Sequence, residues 1–283
     1  LWGILSRPDD VKAAAGRPAV LIVTGGPQYR VGSHRMFVSL GRRLAAAGYP
    51  TLRFDYAGMG DSEGDKKAFD AAGSDLRAAL AALMQRCPSA PGAVVWGLCD
   101  AASAALMFLA ADERVLGIVA ANPWARSDST LAATRVKHYY LARLLQPDFW
   151  RKLLGGGLRW RESLASLLND LKGARRRISG SRGRSDSEPF QQRMADGLRR
   201  LRGPMLLLLS GNDLTAKEFA EYTSASEAWH GLLRTPRVDR VELPEADHTF
   251  SKRRWIAQVE TETLAWLGRL RSSDATSGRP ITP

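Results

Sequence analysis

Short apolar runs alternate with longer amphipathic runs along most of the chain, and this alternation predicts strands that are each followed by a helix. The runs expected to form strands are AVLIVT (19–24), YPTLRFD (49–55), AVVWG (93–97), VLGIVAAN (115–122), PMLLLLS (204–210) and RVDRVEL (237–243). They are short and mostly apolar on both sides, which is typical of a parallel sheet covered by helices on both faces. The pattern therefore predicts an α/β fold with a doubly wound, mostly parallel sheet.

The amphipathic runs between these strands predict the helices that cover the sheet. They are RMFVSLGRRLAAAG (35–48), AFDAAGSDLRAALAALMQRC (68–87), DAASAALMFLAA (100–111), AKEFAEYTSASEAWHGLL (216–233) and KRRWIAQVETETLAWLGRL (252–270). Gly48 stands at the end of the first run, where a left-handed glycine commonly terminates a helix.

One internal segment, 122–203, breaks this rhythm and carries the charge of the chain. Of the formal net charge of +12, all but one unit belongs to this segment. It combines amphipathic helical patterns with a stretch rich in Gly, Ser and Arg, 173–189, and it predicts a basic helical cap inserted into one core. The predicted core is then 1–121 and 204–271, followed by a flexible tail, 272–283.

The composition and the distribution of charge limit the classes of binding partner that we expect. Basic residues are not interleaved with aromatic residues as in an RNA-binding sheet, so we expect no nucleic-acid partner. The basic cap presents a solvated surface, an anion site or a weak attachment to an anionic membrane, and the pattern leaves these three open. Neither a membrane span nor a secretory signal is predicted. The oligomeric state is not predicted, and the first residue, Leu1, leaves open a trimmed start with a missing first strand.

The stretch AVVWGLCDAASAAL (93–106) holds the first candidate for chemistry. A strand runs into a helix there, and Cys99 stands at the turn with the small residues Gly97 and Ala101 on either side. This matches the nucleophile elbow pattern G-x-S-x-G with cysteine in place of serine and alanine in place of the last glycine. The helix N-terminus favours a thiolate. The alternative interpretation is an inert, buried cysteine at a strand–helix junction.

Two further residues complete a catalytic triad in the chain order nucleophile, acid, histidine. Asp213 follows the strand PMLLLLS, and His248 follows the next strand, so both stand at the rim where Cys99 is expected. The alternatives are an aspartate that only caps a helix and a histidine in a surface loop. Glu245 and Asp247 are also close in sequence, but a residue adjacent to His248 is poorly placed to reach its far ring nitrogen.

An oxyanion hole requires two backbone N–H donors. We expect the first from Asp100 and the second from the loop GGPQYRVGSH (25–34), with Gly26 as first choice and Gln28 as second. An ordinary glycine-rich turn is the alternative. At the end of this loop, His34 is a candidate for the pocket or for a structural role.

Three other observations bear on the site and on the compartment of the protein. The motif RFDYAGMGDSEG (53–64) predicts a glycine-dense turn that supports the rim of the sheet. The four histidines are scattered without ligand spacing, so neither a metal nor an organic cofactor is expected. The two cysteines, Cys87 and Cys99, suggest no disulfide framework and therefore favour a reducing compartment.

These motifs together resemble the α/β-hydrolase superfamily, because VTGGPQYR, RFDYAGMGDSEG, WGLCDAASAA, LLLSGND and ADHTF follow one another in the order of that superfamily. The combination of the first three is similar to the exosortase A system-associated hydrolases, the first of the two families of that name. The chain departs from the superfamily at Cys99, at Ala101 and at Thr24, where a histidine often precedes the oxyanion glycine.

The resemblance implies a cytoplasmic Cys–His–Asp hydrolase with a helical cap. The family is linked by genome context to an exopolysaccharide and protein-sorting system. The expected substrate is a small-molecule acyl ester or thioester, cleaved through an acyl-thioester intermediate. Two alternatives stay open: an acyltransferase that uses the same triad, and a non-catalytic binding protein with this fold.

Overall fold

The apolar runs of the chain form the strands of one sheet. The computed structural model describes residues 1–10, 14–25, 28–125 and 188–276, with 271–276 described by their backbone alone. Its strands are β1 (Gly3–Ser6), β2 (Ala19–Val23), β3 (Thr51–Phe54), β4 (Ala93–Leu98), β5 (Val115–Ala121), β6 (Met205–Ser210) and β7 (Val238–Leu243). The order in the sheet is β1-β3-β2-β4-β5-β6-β7, where β2 to β7 are parallel and β1 pairs antiparallel with β3. This confirms the predicted mostly parallel sheet.

Helices cover both faces of the sheet. The described helices are α1 (Met36–Ala46), α2 (Gly73–Arg86), α3 (Asp100–Phe108), α4 (Phe190–Arg200), α5 (Leu214–Ala225) and α6 (Arg253–Thr276). One apolar cluster joins the sheet to α2, α3, α4 and α5, and a second joins it to α1 and α6. Strands β2, β4 and β6 are buried along their whole length. That double burial explains why their sequences are continuous apolar runs rather than alternating ones.

Two helix ends differ most from the prediction. The helix predicted over 216–233 ends at Ala225, because Ser226 is extended and the following residues form two 3-10 turns separated by the left-handed Gly231. At the other end of the chain, α6 continues to Thr276 and so enters the tail predicted to be flexible. No proline lies between Arg253 and Gly278, and the helix continues through Gly268.

The helix α4 falls within the segment predicted as the cap, but it packs as part of the core. Residues from Pro189 onward group with the sheet, and Met194 and Leu198 are buried in the same apolar cluster as α3. At Gly197 the two helices approach so closely that a Cβ atom would collide with the carbonyl of Leu106. The remainder of the predicted cap, 126–187, lies outside the described residues, so the cap stays a prediction.

The edge strand β1 was not predicted from the pattern. Its Leu5 packs on the core, but Trp2 and Ile4 are exposed, so the strand lacks the double burial that marks its neighbours. Hydrogen bonds from the motif RFDYAGMGDSEG hold the start of β1 in place. Ser62 Oγ accepts from the N–H of Trp2 at 2.7 Å, and the carbonyl of Trp2 accepts from the N–H of Asp55 at 2.9 Å.

The parallel strands bring their carboxyl ends to one edge of the sheet. Cys99 follows β4, Asn122 follows β5, Asp213 follows β6 and His248 follows β7. Ligands of open α/β sheets bind at this edge. Among the described helices, none has the length and apolar character needed to cross a bilayer.

Candidate active site

Cys99 occupies a sharp turn between β4 and α3. Its φ of 61° and ψ of −126° are a conformation that residues with a side chain rarely adopt. The turn requires small neighbours, because a Cβ at Gly97 would lie 2.7 Å from the backbone nitrogen of Ala102, and Ala101 is buried. Cys99 itself is half-buried. The turn therefore presents the thiol at the rim and at a helix N-terminus.

Hydrogen bonds hold this turn from both sides. The carbonyl of Cys99 accepts from the N–H groups of Ala102 at 3.1 Å, Ser103 at 3.3 Å and Trp124 at 3.2 Å. The Cys99 N–H donates to the carbonyl of Ala121 at 2.9 Å, and the Ser103 hydroxyl bonds to the backbone of Trp124. The strained turn is thus fixed by α3 and by the end of β5 together.

The carboxylate of Asp213 performs two tasks. Its Oδ2 lies 2.8 Å from Nδ1 of His248, and its side chain is almost fully buried. The same carboxylate accepts from the N–H of Thr215 at 3.0 Å and of Ala216 at 3.2 Å, which caps α5. The side chain of Asp213 thus caps α5 and also contacts the imidazole that its predicted role as the acid requires.

His248 connects the carboxylate to the thiol. Its ring hydrogen-bonds with Asp213 and with Cys99, and these two bonds, in that order of size, raise the pKa of His248 to about 10 although burial opposes them. The imidazolium is therefore favoured at neutral pH. An imidazolium is the partner that stabilises a cysteine thiolate. The structure brings together Cys99, His248 and Asp213, the three residues predicted from the sequence.

The other acidic and basic side chains near His248 have different partners. Burial raises the pKa of Asp247, but hydrogen bonds from Ser251 outweigh that effect, so the net pKa is lowered. Glu245 forms an exposed ion pair with Arg254 at 2.6 Å. His34 is exposed, has a φ of 54°, and lies close enough to Asp247 to lower its pKa further. The structure thus places His34 at the rim.

The loop after β2 lies against the Cys99 turn. A Cβ at Gly25 would collide with the Asp100 carboxylate and would lie 2.7 Å from the carbonyl of Leu98. The N–H of Gln28 donates to the carbonyl of Gly25 at 3.1 Å and so closes a turn. Gly26 lies outside the described residues. Asp100 is the first residue of α3, where the backbone N–H points out of the helix N-terminus.

Two supports of the site were missed from the sequence. The buried carboxylate of Asp55 accepts from the N–H of Arg30 at 2.7 Å and also binds the Arg30 guanidinium, which pairs with Asp61 as well. This ion-pair network ties the loop after β2 to the motif RFDYAGMGDSEG. A buried Asn122–Ser210 pair joins the ends of β5 and β6. The position of Asp55 and Asn122, directly after apolar strands, was the available signal for both.

The comparison with known families decides the classification. A family model described as "Alpha/beta hydrolase family" matches residues 20–259, a span that runs from β2 into α6 and includes Cys99, Asp213 and His248. The chain belongs to the alpha/beta hydrolase family. No curated protein shows significant similarity to this alpha/beta hydrolase in sequence. Within the described ranges, no group of three or more His, Cys, Asp or Glu residues is arranged to hold a metal ion.

Solved structures share the fold at low sequence identity. The esterase Pf2001 of Pyrococcus furiosus is 17% identical, with a TM-score of 0.60 over 95% of this chain and 91% of its own. The esterase domain of a Rhodothermus marinus protein is 19% identical, with a TM-score of 0.54 over 94% and 91%. Est1E of Butyrivibrio proteoclasticus, solved with ferulic acid bound, is 12% identical, with a TM-score of 0.60 over 96% and 95%.

Proposed function

We propose that this alpha/beta hydrolase cleaves a carboxylic ester or thioester by means of Cys99, His248 and Asp213. The observation that carries the proposal is the position of His248, which bonds Asp213 at 2.8 Å on one side and the thiol of Cys99 on the other. A nucleophile, a base and a group that orients the base form a unit that attacks acyl carbons. The esterase names of two structural neighbours favour an ester as the substrate.

In the acylation half, the thiolate of Cys99 attacks the carbonyl carbon, and the carbonyl electrons move onto oxygen. The N–H groups of Asp100 and Gly26 are the donors proposed for that oxyanion, and each donor is worth about 3 kcal/mol. When the tetrahedral intermediate collapses, the bond to the leaving alcohol or thiol breaks. The His248 imidazolium supplies the proton that this leaving group takes. Cys99 then carries the acyl group as a thioester.

In the deacylation half, neutral His248 removes a proton from water, and the hydroxide attacks the thioester carbonyl. The bond to Sγ breaks, the carboxylic acid leaves, and the thiolate–imidazolium pair is restored. Asp213 holds the ring in place and stabilises its charged form in both halves. The raised pKa of His248 supports an ion pair at rest, since an imidazolium at neutral pH is already able to protonate a leaving group.

The resemblance to the exosortase A system-associated hydrolases supports a more specific proposal. We infer that the acyl substrate belongs to the bacterial exopolysaccharide and protein-sorting system with which that family is linked. The two free cysteines favour a cytoplasmic, reducing location. The basic segment within 122–203 is proposed to provide weak affinity for anionic membranes.

Acyl transfer is the second candidate function, and the cysteine favours it. A thioester intermediate is attacked well by amines and thiols, so the acyl group on Cys99 can pass to an acceptor other than water. The two candidates share every step up to the acyl-enzyme.

A substrate panel tests the proposal. We expect wild-type protein to release p-nitrophenol from short-chain p-nitrophenyl esters, or free thiol from acyl-CoA thioesters, and Cys99→Ala to release neither. Product analysis with and without an added primary amine separates hydrolysis from transfer, because transfer yields an amide at the expense of the acid. If Cys99→Ala turns over the substrates at the wild-type rate, the proposal is wrong.

A further inference from the structure

A buried amide joins the loop of His248 to the sheet. Asn122 follows β5 and is completely buried. Its Nδ2 donates to Ser210 Oγ at 2.9 Å and to the carbonyl of His248 at 3.1 Å, and its Oδ1 accepts from the Ser210 N–H at 2.8 Å. Both hydrogens of the amide nitrogen and one lone pair of the oxygen are thereby used.

Ser210 extends this contact to the neighbouring residue of the loop. Its hydroxyl donates to the carbonyl of Asp247 at 3.0 Å, so two successive carbonyls of the His248 loop receive side-chain donors. Ser210 is also the last residue of β6 and stands three positions before Asp213. We call the hydrogen-bonded pair of Asn122 and Ser210 the clasp. It connects the loop that carries His248 to β6, the strand that precedes Asp213.

The clasp lies beyond the last main-chain bonds between the ends of β6 and β7. The strand register ends at Ser210 and Leu243, and the N–H of Asn212 still donates to the carbonyl of Ala246 at 3.0 Å, two residues before His248. The other side of the clasp reaches the nucleophile, because Ala121, which precedes Asn122, accepts from the N–H of Cys99 at 2.9 Å. The side chains of the clasp thus bind the two carbonyls that follow the last of these main-chain bonds, those of Asp247 and His248.

We propose that Asn122, with Ser210, is a positioning residue that holds the His248 imidazole in line between Asp213 and Cys99. The proposal rests on the function proposed above. It assigns Asn122 no contact with substrate: the amide acts through the backbone of His248. Asparagine suits the position because its φ of 43° lies in the left-handed region, which asparagine tolerates better than most residues.

The charged groups around His248 make the clasp testable by titration. Asp213 and Cys99 face the ring, Asp247 is bound to Ser251, and His34 lies close to Asp247. Asn122 and Ser210 carry no charge. Their removal therefore adds or deletes no charge near His248, and a changed titration reports a changed geometry.

The variants Asn122→Gly and Ser210→Ala test the clasp. Glycine keeps the left-handed backbone and deletes the amide, and Ser210→Thr serves as the conservative rescue because it retains the hydroxyl. Thr223→Val is the matched control: it removes a buried hydroxyl that donates to Phe219 at 2.9 Å on α5, in a helix turn that carries none of the triad residues. The readouts are NMR titration of isotopically labelled histidine, kcat and KM for a p-nitrophenyl ester, and Tm.

We expect wild-type His248 to titrate near pH 10, and Asn122→Gly to lower that midpoint by about one unit. The same variant is expected to lower kcat about tenfold or more with KM within about twofold. Ser210→Ala shows the same changes to a smaller degree, whereas Ser210→Thr and Thr223→Val keep the wild-type midpoint. If Asn122→Gly and Ser210→Ala lower Tm as Thr223→Val does but leave the His248 midpoint and kcat unchanged, the positioning role is wrong.

The titration does not depend on turnover. If Cys99→Ala retains full activity, the proposed function is wrong, but the midpoint of His248 in Asn122→Gly still decides whether the clasp positions the ring. If Asn122→Gly fails to fold, the comparison of Ser210→Ala with Ser210→Thr gives the same decision.

Discussion

The two cysteines of the chain stand at opposite ends of neighbouring helices. Cys87 terminates α2 with a φ of −129°, whereas Cys99 begins α3 with a φ of 61°. A helix C-terminus carries a partial negative charge and an N-terminus a partial positive one, so the same side chain meets opposite fields at the two positions. The backbone alone therefore distinguishes the surroundings of the two thiols.

The surroundings strengthen this contrast. Cys87 is buried in the apolar cluster, and burial raises the pKa of its thiol although Arg7 partly opposes the effect. Cys99 is half-buried and hydrogen-bonds to His248, and the bonds of His248 to Asp213 and Cys99 raise its pKa to about 10. The proposed nucleophile is therefore distinguished by its place at the end of β4, where a helix N-terminus, His248 and the opening at the rim meet.

The largest expected difference between the two cysteines is in catalysis. Cys99→Ala removes the nucleophile and is expected to lower kcat/KM for a p-nitrophenyl ester about ten-thousandfold. Cys87→Ala removes only core packing, so its kcat/KM stays within about twofold of wild type. Equal losses in the two variants would contradict the assignment of Cys99.

The acid that supports Cys99 gives the next largest effect. Asp213→Asn places an amide against the imidazole and is expected to lower kcat about a thousandfold, with little loss of stability at the cap of α5, because asparagine caps helices about as well as aspartate. Asp247→Asn is the matched control, since that carboxylate binds Ser251, and its kcat is expected to fall less than about tenfold. Steady-state kinetics measure the change in kcat, and urea unfolding measures the change in stability. A smaller loss in Asp213→Asn than in Asp247→Asn would reverse the roles of the two carboxylates.

Thiol reactivity compares the two sites without any substrate. With iodoacetamide at pH 7, Cys99 is expected to react about a hundredfold faster than Cys87, because it is accessible and paired with an imidazolium. In His248→Ala, the ratio of the Cys99 rate to the Cys87 rate is expected to fall towards the value that the exposure of the two thiols alone would set. Peptide mapping by mass spectrometry gives both rates in one sample. An unchanged ratio in His248→Ala would show that exposure, not the histidine, sets the reactivity.

The smallest effect concerns the dependence of stability on pH. The pKa of His248 is raised in the folded protein from about 6.5 to about 10, so its bonds contribute stability that is complete below about pH 6.5 and is lost as pH rises through about 10. We expect wild type to exceed His248→Ala in free energy of unfolding by more at about pH 6 than above about pH 10. The variant Cys87→Ala is expected to keep the wild-type dependence of the free energy of unfolding on pH, because it retains His248. A difference that is constant with pH would contradict the ion pair.

The same contrast shows which features the sequence is able to predict. The order of Cys99, Asp213 and His248, each after an apolar run, was sufficient to place them on one rim, because parallel strands share that edge. The strand β1 escaped prediction because Trp2 and Ile4 are exposed and the run is short. The break at Ser226 escaped because no Gly or Pro marks it.

The clasp of Asn122 and Ser210 could not be predicted from the sequence, for a different reason. It joins residues 88 positions apart through side-chain to backbone bonds, and neither residue type is unusual at a strand end. Periodicity reports which side of an element is buried, but it carries no information on which buried amide meets which carbonyl. The close packing of α4 on α3 escaped similarly, since it depends on the single position Gly197.

Trapping of the acyl-enzyme tests the central claim most directly. Wild-type protein is mixed with excess p-nitrophenyl acetate, quenched in acid within the first turnovers, and mapped by mass spectrometry. We expect one acetyl group on Cys99, which neutral hydroxylamine removes, and an unmodified Cys87. Acetylation confined to any other residue, or an unmodified Cys99 under conditions of full turnover, would contradict it.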